Sequence, residues 1–329
     1  MLIRRMLSYS SLGGFFLCGL LASCSQDGNL PPVDSVPLEL HAVGDALVHA
    51  STRADALPEK AFDATVVRTT RQGGYSDFAG KYEGQRDVAV GTDGSVSWKS
   101  QSGDETPEYP ETGDWLYLVG VSPVATPSGG NASYTLTGSE DLLYAGEIRG
   151  NRWDGDRFSA NTNSAHNKPL EFTHLLTRLQ FKARKRQAGG MPVTITAIKV
   201  NEALPEVSVP LATGEPSFSG TAGITLHPGN DGTGKEVPAS GSTVALGDLL
   251  LPPLSEGDGS YTLDVETSIG VFTSIPIVFS DNVAPGEKLQ PGMSHEITFY
   301  LSDASLGILS VTATPWEWVN VDDDIVLVP

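Results

Sequence analysis

Cysteine is nearly absent from this chain: only Cys18 and Cys24 occur among 329 residues, both near the N-terminus. The six histidines are scattered, and none has the His-x-x-x-His spacing with which one helix face holds zinc. His174 lies in an apolar neighbourhood, where we expect a hydrogen-bonded structural residue. Nucleophile-elbow, phosphate-loop and dinucleotide-binding glycine motifs are also missing. The sequence therefore predicts no catalytic, metal or cofactor site, and we expect the protein not to be an enzyme.

Basic residues are scarce as well, with 21 Lys and Arg against 40 Asp and Glu, and the formal net charge is −19. A nucleic-acid-binding surface needs clustered Lys and Arg, and so does electrostatic docking onto anionic lipid. We therefore expect no nucleic-acid partner. The negative charge is typical of a surface protein of low pI and does not by itself indicate a ligand.

Long hydrophobic runs are missing except in a short leader. Two arginines precede an apolar run at 12–21, and Leu-Ala-Ser stands directly before Cys24. This is the layout of a secretory signal, and the run is too short to span a bilayer as a mature helix. A cysteine in that place predicts a lipoprotein signal at 1–23, with Cys24 acylated, for instance by palmitate, and a polar tether at 24–35. An ordinary signal peptide with a chance cysteine is the alternative.

Helical periodicity is rare, whereas 36 glycines and 22 prolines separate many short runs in which apolar and polar residues alternate. This pattern predicts an all-β protein of the sandwich type. The length suits two domains, which we place at 36–168 and 169–329. A polar stretch at 149–168, rich in Asn, Gly and Asp, is the predicted linker.

The first predicted strand, 36–48, begins with Val36, Leu38, Leu40 and Ala42 on one face. Further strands are predicted at 65–69, 88–90, 95–98, 114–121, 142–148, 193–200, 206–211, 243–251, 260–267, 271–279, 294–301, 307–314 and 321–328.

Two segments of the second half need separate comment. Residues 170–176 fit either a strand or one helical turn, whereas 177–184 alternates as a strand. In 193–200, strict alternation places Val193, Ile195, Ala197 and Lys199 on the same face.

The five tryptophans fall into two groups. Trp98 and Trp153 lie in polar segments flanked by glycine or aspartate, where an exposed indole could contact a glycan. Trp115, Trp316 and Trp318 lie in apolar strands, and we expect them in the core. A core position is the commoner fate of a tryptophan, so a sugar-binding platform is the less favoured interpretation.

Several segments together resemble a known family, the fimbrillins, which are the type V pilins of Bacteroidota and include major and minor fimbrial subunits. The segments are Asp-Leu-Leu-Tyr-Ala at 141–145, Leu-Glu-Phe-Thr-His-Leu-Leu-Thr-Arg-Leu-Gln-Phe at 170–181, Leu-Gln-Pro-Gly-Met-Ser-His-Glu-Ile-Thr-Phe at 289–299 and Val-Thr-Ala-Thr-Pro-Trp-Glu-Trp at 311–318. Each is weak alone, but their order behind a lipoprotein leader makes the likeness specific. It is clearest from about 141 to 318.

The resemblance implies two tandem β-sandwich domains of transthyretin-like (Greek-key) type and a maturation route. The lipidated precursor reaches the outer membrane, an arginine-specific protease cuts after the first strand, and a strand of the next subunit fills the vacated groove. Arg53 is the arginine at that place, so cleavage between Arg53 and Ala54 would remove the strand at 36–48. An ordinary exposed loop arginine is the alternative.

The C-terminus offers a donor strand within 321–329. Its apolar residues are Ile325, Val326, Leu327 and Val328. The alternative is an ordinary last strand of the second domain.

These expectations converge on a structural subunit of cell-surface fimbriae. It would polymerise with other fimbrial subunits by donor-strand exchange and mediate adhesion. Two alternatives stay open: a tip or anchor subunit of the same family, and a monomeric glycan-binding lipoprotein of the outer membrane that uses Trp98 or Trp153.

Overall fold

The computed structural model describes residues 35–44, 60–71, 78, 82–100, 106–153, 155–161, 168–229, 233–254, 260–277, 279, 289–301 and 306–315. These ranges contain nineteen β-strands and no α-helix, which confirms the all-β class. Consequently, no helix within them is long and apolar enough to cross a membrane. The leader, residues 24–34 of the predicted tether, the loop around Arg53 and the strand predicted at 321–328 lie outside these ranges.

The largest sheet has seven strands. They are β1 (Ala42–Gly44), β2 (Phe62–Arg71), β3 (Gly84–Val90), β4 (Val96–Trp98), β5 (Trp115–Ser122), β7 (Leu143–Gly150) and β8 (Leu170–His174). Their order is β1-β8-β7-β5-β2-β3-β4, with β1 parallel to β8 and the other pairs antiparallel. The apolar run predicted at 114–121 is confirmed as the central strand.

Three smaller sheets complete the fold. The three-stranded sheet contains β6 (Asn131–Thr135), β11 (Glu206–Pro210) and β12 (Ser217–Ser219). The four-stranded sheet contains β9 (Thr177–Lys185), β15 (Val244–Leu251), β18 (Met293–Leu301) and β19 (Leu306–Pro315). The five-stranded sheet contains β10 (Val193–Val200), β13 (Ile224–Leu226), β14 (Lys235–Val237), β16 (Thr262–Thr267) and β17 (Gly270–Pro276).

The segment that fitted either a strand or a helical turn is a strand, β8, which ends at His174 before Leu175 and Leu176 lead into β9. β8 pairs with β7 in the seven-stranded sheet, and β6 pairs with β11 in the three-stranded sheet. Each of these two pairs joins residues that precede the predicted linker at 149–168 to residues that follow it.

The seven-stranded sheet is covered on both faces, because its central strand contributes to two cores. Leu116 and Leu118 of β5 belong to one core, together with the N-terminal residues. Tyr117, Val119 and Val121 belong to the other, which also contains the interior of the three smaller sheets. A strand buried on both faces reads as a continuous apolar run, as residues 115–121 do.

One predicted alternation is wrong in its second half. In β10, Val193 and Ile195 are buried as expected, but Lys199 is exposed and Ile198 is buried. The register against β16 shifts between Ile195 and Ala197. A bulge there inserts one residue and moves every later side chain to the opposite face.

Every other strand predicted between 65 and 314 is confirmed within a few residues of its ends. The strands not predicted are β6, β12, β13 and β14. Three of these have only three residues, which is too short for an alternation to be recognised.

Candidate functional site

The residues Ser35–Gly44, here called the N-terminal segment, fill a groove at the seven-stranded sheet. The predicted apolar face is confirmed: Leu38 and Leu40 are each 2% exposed and Ala42 is fully buried. Regular strand pairing is limited to β1, which runs beside β8 with Ala42 opposite Leu170. Before β1 the chain is extended and makes only isolated bridges, from Pro37 and His41.

Backbone hydrogen bonds tie the N-terminal segment to three distant parts of the chain. They run from Leu38 N to Pro107 O (2.7 Å), from Tyr109 N to Val36 O (2.9 Å), from Ala42 N to Gly94 O (2.9 Å) and from Leu170 N to His41 O (3.0 Å). The indole Nε1 of Trp98 also donates to the carbonyl of Leu38 at 3.0 Å. The segment is therefore held by hydrogen bonds along its length, although only β1 pairs as a regular strand.

The segment completes a hydrophobic core. Its apolar side chains pack in the core that includes Val66, Leu118 and Phe172 from three strands of the sheet. Burial of a Leu side chain contributes roughly 1.5–3 kcal/mol. Loss of the segment would remove the contributions of Leu38 and Leu40 and expose the apolar surface beneath them.

Tyr109 anchors the start of the groove. Its ring stacks on Phe158 with the centroids 5.8 Å apart, and its hydroxyl oxygen accepts the Phe158 N–H. Burial raises the pKa of Tyr109 to about 12, against the opposing effect of that hydrogen bond, so the phenol stays neutral at physiological pH. This rigid pair positions the backbone N–H that holds Val36.

His41 is the one buried histidine of the N-terminal segment. It is 1% exposed, and its Nδ1 lies 2.6 Å from the carbonyl oxygen of Ser159. Its Nε2 is buried without a hydrogen-bond partner. A buried polar atom left unpaired costs roughly 1–3 kcal/mol, so the resident segment does not fill this groove optimally.

An open cavity of about 410 Å³ lies beside Leu38 and extends the groove. Its apolar lining includes Val66, Trp98 and Leu118, and its polar lining includes Arg68 and Arg86. The resident leucine thus leaves space that a larger side chain at its position would occupy.

The two tryptophans considered for glycan contact differ in their environment. Trp98 is half-buried against the core, and its Nε1 is used by the Leu38 carbonyl. Trp153 is 60% exposed, and its ring lies over Gly113, where a Cβ would come within 3.3 Å of it. Of the pair, only Trp153 presents most of its ring to solvent.

Several predicted site residues fall in parts of the chain that the structure does not describe. These are Cys24, Arg53, Ala54, Ile325, Val326, Leu327 and Val328. Trp316 and Trp318, expected in the core, also lie outside the described residues. Trp115, expected in the core, is half-buried at its margin.

His174 is confirmed as a hydrogen-bonded structural histidine, since its Nδ1 lies 2.9 Å from the carboxylate of Asp141. Among the described residues, no cluster of three or more His, Cys, Asp or Glu could hold a metal ion. The groove residues Pro107, Tyr109 and Gly94 were not predicted, because they lie far in sequence from the N-terminal segment that they bind and carry no common motif.

Comparison with known proteins places this geometry in context. A family model described as Fimbrillin-like matches residues 52–316. A search of curated proteins found no significant match.

Two solved structures share the fold. A candidate cell adhesion protein from Bacteroides uniformis ATCC 8492 is 15% identical with a TM-score of 0.54, over 87% of this chain and 99% of that one. A second from Bacteroides ovatus ATCC 8483 is 14% identical with a TM-score of 0.54, over 86% and 98%. At such identities, the similarity to these two structures shows only a shared fold. Membership of a family is shown instead by the family model, which matches most of the sequence. The chain belongs to the fimbrillin-like family.

Proposed function

We propose that the protein is a structural subunit of cell-surface fimbriae that mediate adhesion. In this proposal it is exported as a lipoprotein precursor acylated at Cys24, cleaved after Arg53 by an arginine-specific protease, and polymerised with other fimbrial subunits by donor-strand exchange. The observation that carries the proposal is the N-terminal segment, which lies before Arg53 and completes a core that the rest of the chain builds.

Removal of that segment would leave a vacant site for a strand. The backbone groups that bind it, at Pro107, Tyr109, Gly94 and Leu170, would lose their partners. Unpaired N–H and C=O groups beside an exposed apolar groove are a template for an added strand. The unpartnered nitrogen of His41 and the cavity beside Leu38 support replacement by a better-fitting strand.

The processing step is tested by substituting Arg53→Ala and analysing material sheared from the cell surface. We expect the variant to remain a lipidated precursor at the outer membrane, and the wild-type polymer to begin at Ala54. Mass spectrometry of the N-terminus distinguishes acylated Cys24 from Ala54. Arg186→Ala, an exposed arginine elsewhere, is the matched control. Polymer ladders of normal length from Arg53→Ala would exclude cleavage at this site.

The donor strand is tested separately by deleting 321–329. A stalk subunit without its donor should fold and be exported but should stop fibre growth. If the truncated protein is still incorporated at fibre ends, it acts as a tip subunit. If the surface material keeps acylated Cys24, the protein acts as an anchor.

We also propose that the chain forms two domains, at 36–168 and 169–329.

A monomeric glycan-binding lipoprotein is the second candidate. It is favoured by the 60% exposure of Trp153. Glycan binding that is lost in Trp153→Ala and kept in Trp98→Phe, with no polymer on the cells, would support this candidate over the first.

A further inference from the structure

A second cavity, unrelated to the N-terminal segment, opens above a bulge in β7. Leu118 of β5 pairs with Ile148, and Gly120 of β5 pairs with Ala145. Two residues of β7, Gly146 and Glu147, therefore lie opposite the one residue of β5 between these partners, Val119. Such a bulge bends the strand and redirects its side chains. A Cβ placed on Gly146 would meet nothing within 4 Å, so the floor of the cavity is open.

This bulge cavity has a volume of about 790 Å³, which is within the range of pockets that hold small molecules. Trp115 of β5 forms its aromatic wall. The guanidinium carbon of Arg149 lies 5.1 Å from the Trp115 ring centroid and the Nζ of Lys168 lies 5.8 Å from it. Lys168 is held in place by Asp156, whose carbonyl accepts its hydrogen bond at 3.0 Å.

Glu147 is an unusual carboxyl group in the wall of this cavity. Desolvation raises its pKa to about 7, although the charge of Arg149 opposes the shift. Its Oε2 is buried and has no hydrogen-bond partner in the structure. Glu147 lines the cavity, so a turn of its carboxyl group toward a ligand hydroxyl would remove the cost of leaving this oxygen unpaired.

We propose that the bulge cavity binds a neutral saccharide unit of a glycan. The wall offers acceptor oxygens in the carboxyl groups of Glu147 and Glu171, cationic donors at Arg149 and Lys168, and an aromatic surface at Trp115. A pyranose ring presents hydroxyls that both donate and accept, together with apolar C–H faces, and so matches all three kinds of group.

Other ligand classes fit less well. An anionic sugar would meet the acidic groups of Glu147, Asp156 and Glu171, while both cations of the cavity already have an acidic neighbour: Lys168 Nζ lies 3.7 Å from Asp156, and the charge of Arg149 acts on Glu147. An apolar ligand would desolvate these charges without pairing them, which is costly. The described residues hold no cluster of carboxylates that could coordinate a metal ion.

The test is saturation-transfer NMR on the full-length protein with a defined panel. The panel contains mannose-, glucose- and galactose-based hexasaccharides as neutral probes and oligogalacturonate as the anionic probe. We expect at least one neutral probe to bind, and Gly146→Phe, which fills the cavity without backbone strain, to weaken it about tenfold or more. Glu147→Gln should weaken it in the same direction, and Trp153→Ala should leave it unchanged.

Each other result overturns the proposal. Binding of the anionic probe alone assigns a different ligand class, and binding that survives Gly146→Phe or disappears in Trp153→Ala places the glycan elsewhere. No binding by any neutral probe also overturns it. Melting curves of the variants establish that they are folded. Because the cavity is separate from the groove, loss of glycan binding and loss of polymerisation are independent outcomes.

Discussion

At the residue scale, a buried histidine shows how burial changes the protonation of a side chain. His295 in β18 is fully buried, and its Nε2 accepts the backbone N–H of Leu289 at 3.0 Å. The rings of Phe279 and His295 pack edge to face with their centroids 5.4 Å apart, and Nδ1 of His295 has no hydrogen-bond partner. Desolvation therefore lowers the pKa of His295 to about 4.

This depressed pKa predicts acid sensitivity. The unfolded chain takes up a proton near pH 6.5 and the native His295 only near pH 4, so stability is lost as the pH falls between these values. The shift corresponds to roughly 3 kcal/mol. His295→Gln keeps an acceptor for Leu289 but does not titrate. Urea unfolding at pH 7 and pH 4.5 should therefore show a smaller loss for this variant than for the wild type.

His227→Gln, an exposed substitution, is the control for that experiment and should behave as the wild type does. Equal pH dependence of His295→Gln and wild type would mean that the carboxyl groups, and not this histidine, determine acid stability.

At the scale of single elements, glycines decide how closely strands and side chains approach. Gly120 lies in the central strand β5, and a Cβ there would be 2.9 Å from the Cζ of Phe172. Phe172 is itself fully buried and packs edge-on against Phe62 with the centroids 5.1 Å apart. The ring therefore has little room to move.

Gly120→Ala should destabilise the protein by about 1–3 kcal/mol, because it overpacks this contact. Gly146→Ala is a matched control in a neighbouring strand of the same sheet, since its added methyl group meets nothing within 4 Å. Thermal and urea unfolding should separate the two variants clearly. Equal stabilities would show that Phe172 can shift without cost.

At the scale of the whole molecule, the N-terminal segment is the part whose loss changes the protein most. It contributes buried leucines and the backbone partners of three distant regions. The rest of the seven-stranded sheet does not need it for its own pairing, because β2, β3, β5 and β7 pair with one another. The segment thus lies against a sheet whose other strands pair without it.

A protein that begins at Ala54 should therefore fold with a vacant groove, melt at a lower temperature and associate with other copies. A synthetic peptide of residues 35–44 should raise its melting temperature in proportion to the logarithm of peptide excess. The same peptide with Leu38→Asp and Leu40→Asp should not. Size-exclusion chromatography and thermal melting provide the measurements. A truncated protein as stable as the full chain, and indifferent to the peptide, would contradict this role.

Local patterns predicted much of the fold. The alternation of Leu179, Phe181 and Ala183 correctly identified β9, and the apolar run of β5 correctly identified the central strand. The faces of β10 were predicted only as far as Ile195, because a bulge depends on the partner strand and not on the residues that contain it. Very short strands escaped prediction for a related reason: their pairing is imposed by neighbours.

The sequence by itself determined the all-β class, the apolar face of the N-terminal segment and the family resemblance, because each depends on residues close together in the chain. Only the tertiary structure decided what binds that segment and where cavities form. Pro107, Tyr109 and Leu170 meet at the groove, and Trp115, Glu147 and Lys168 meet at the bulge cavity, through sheet pairing between distant strands. Such sites arise from strand order and register, which no local pattern of residues encodes.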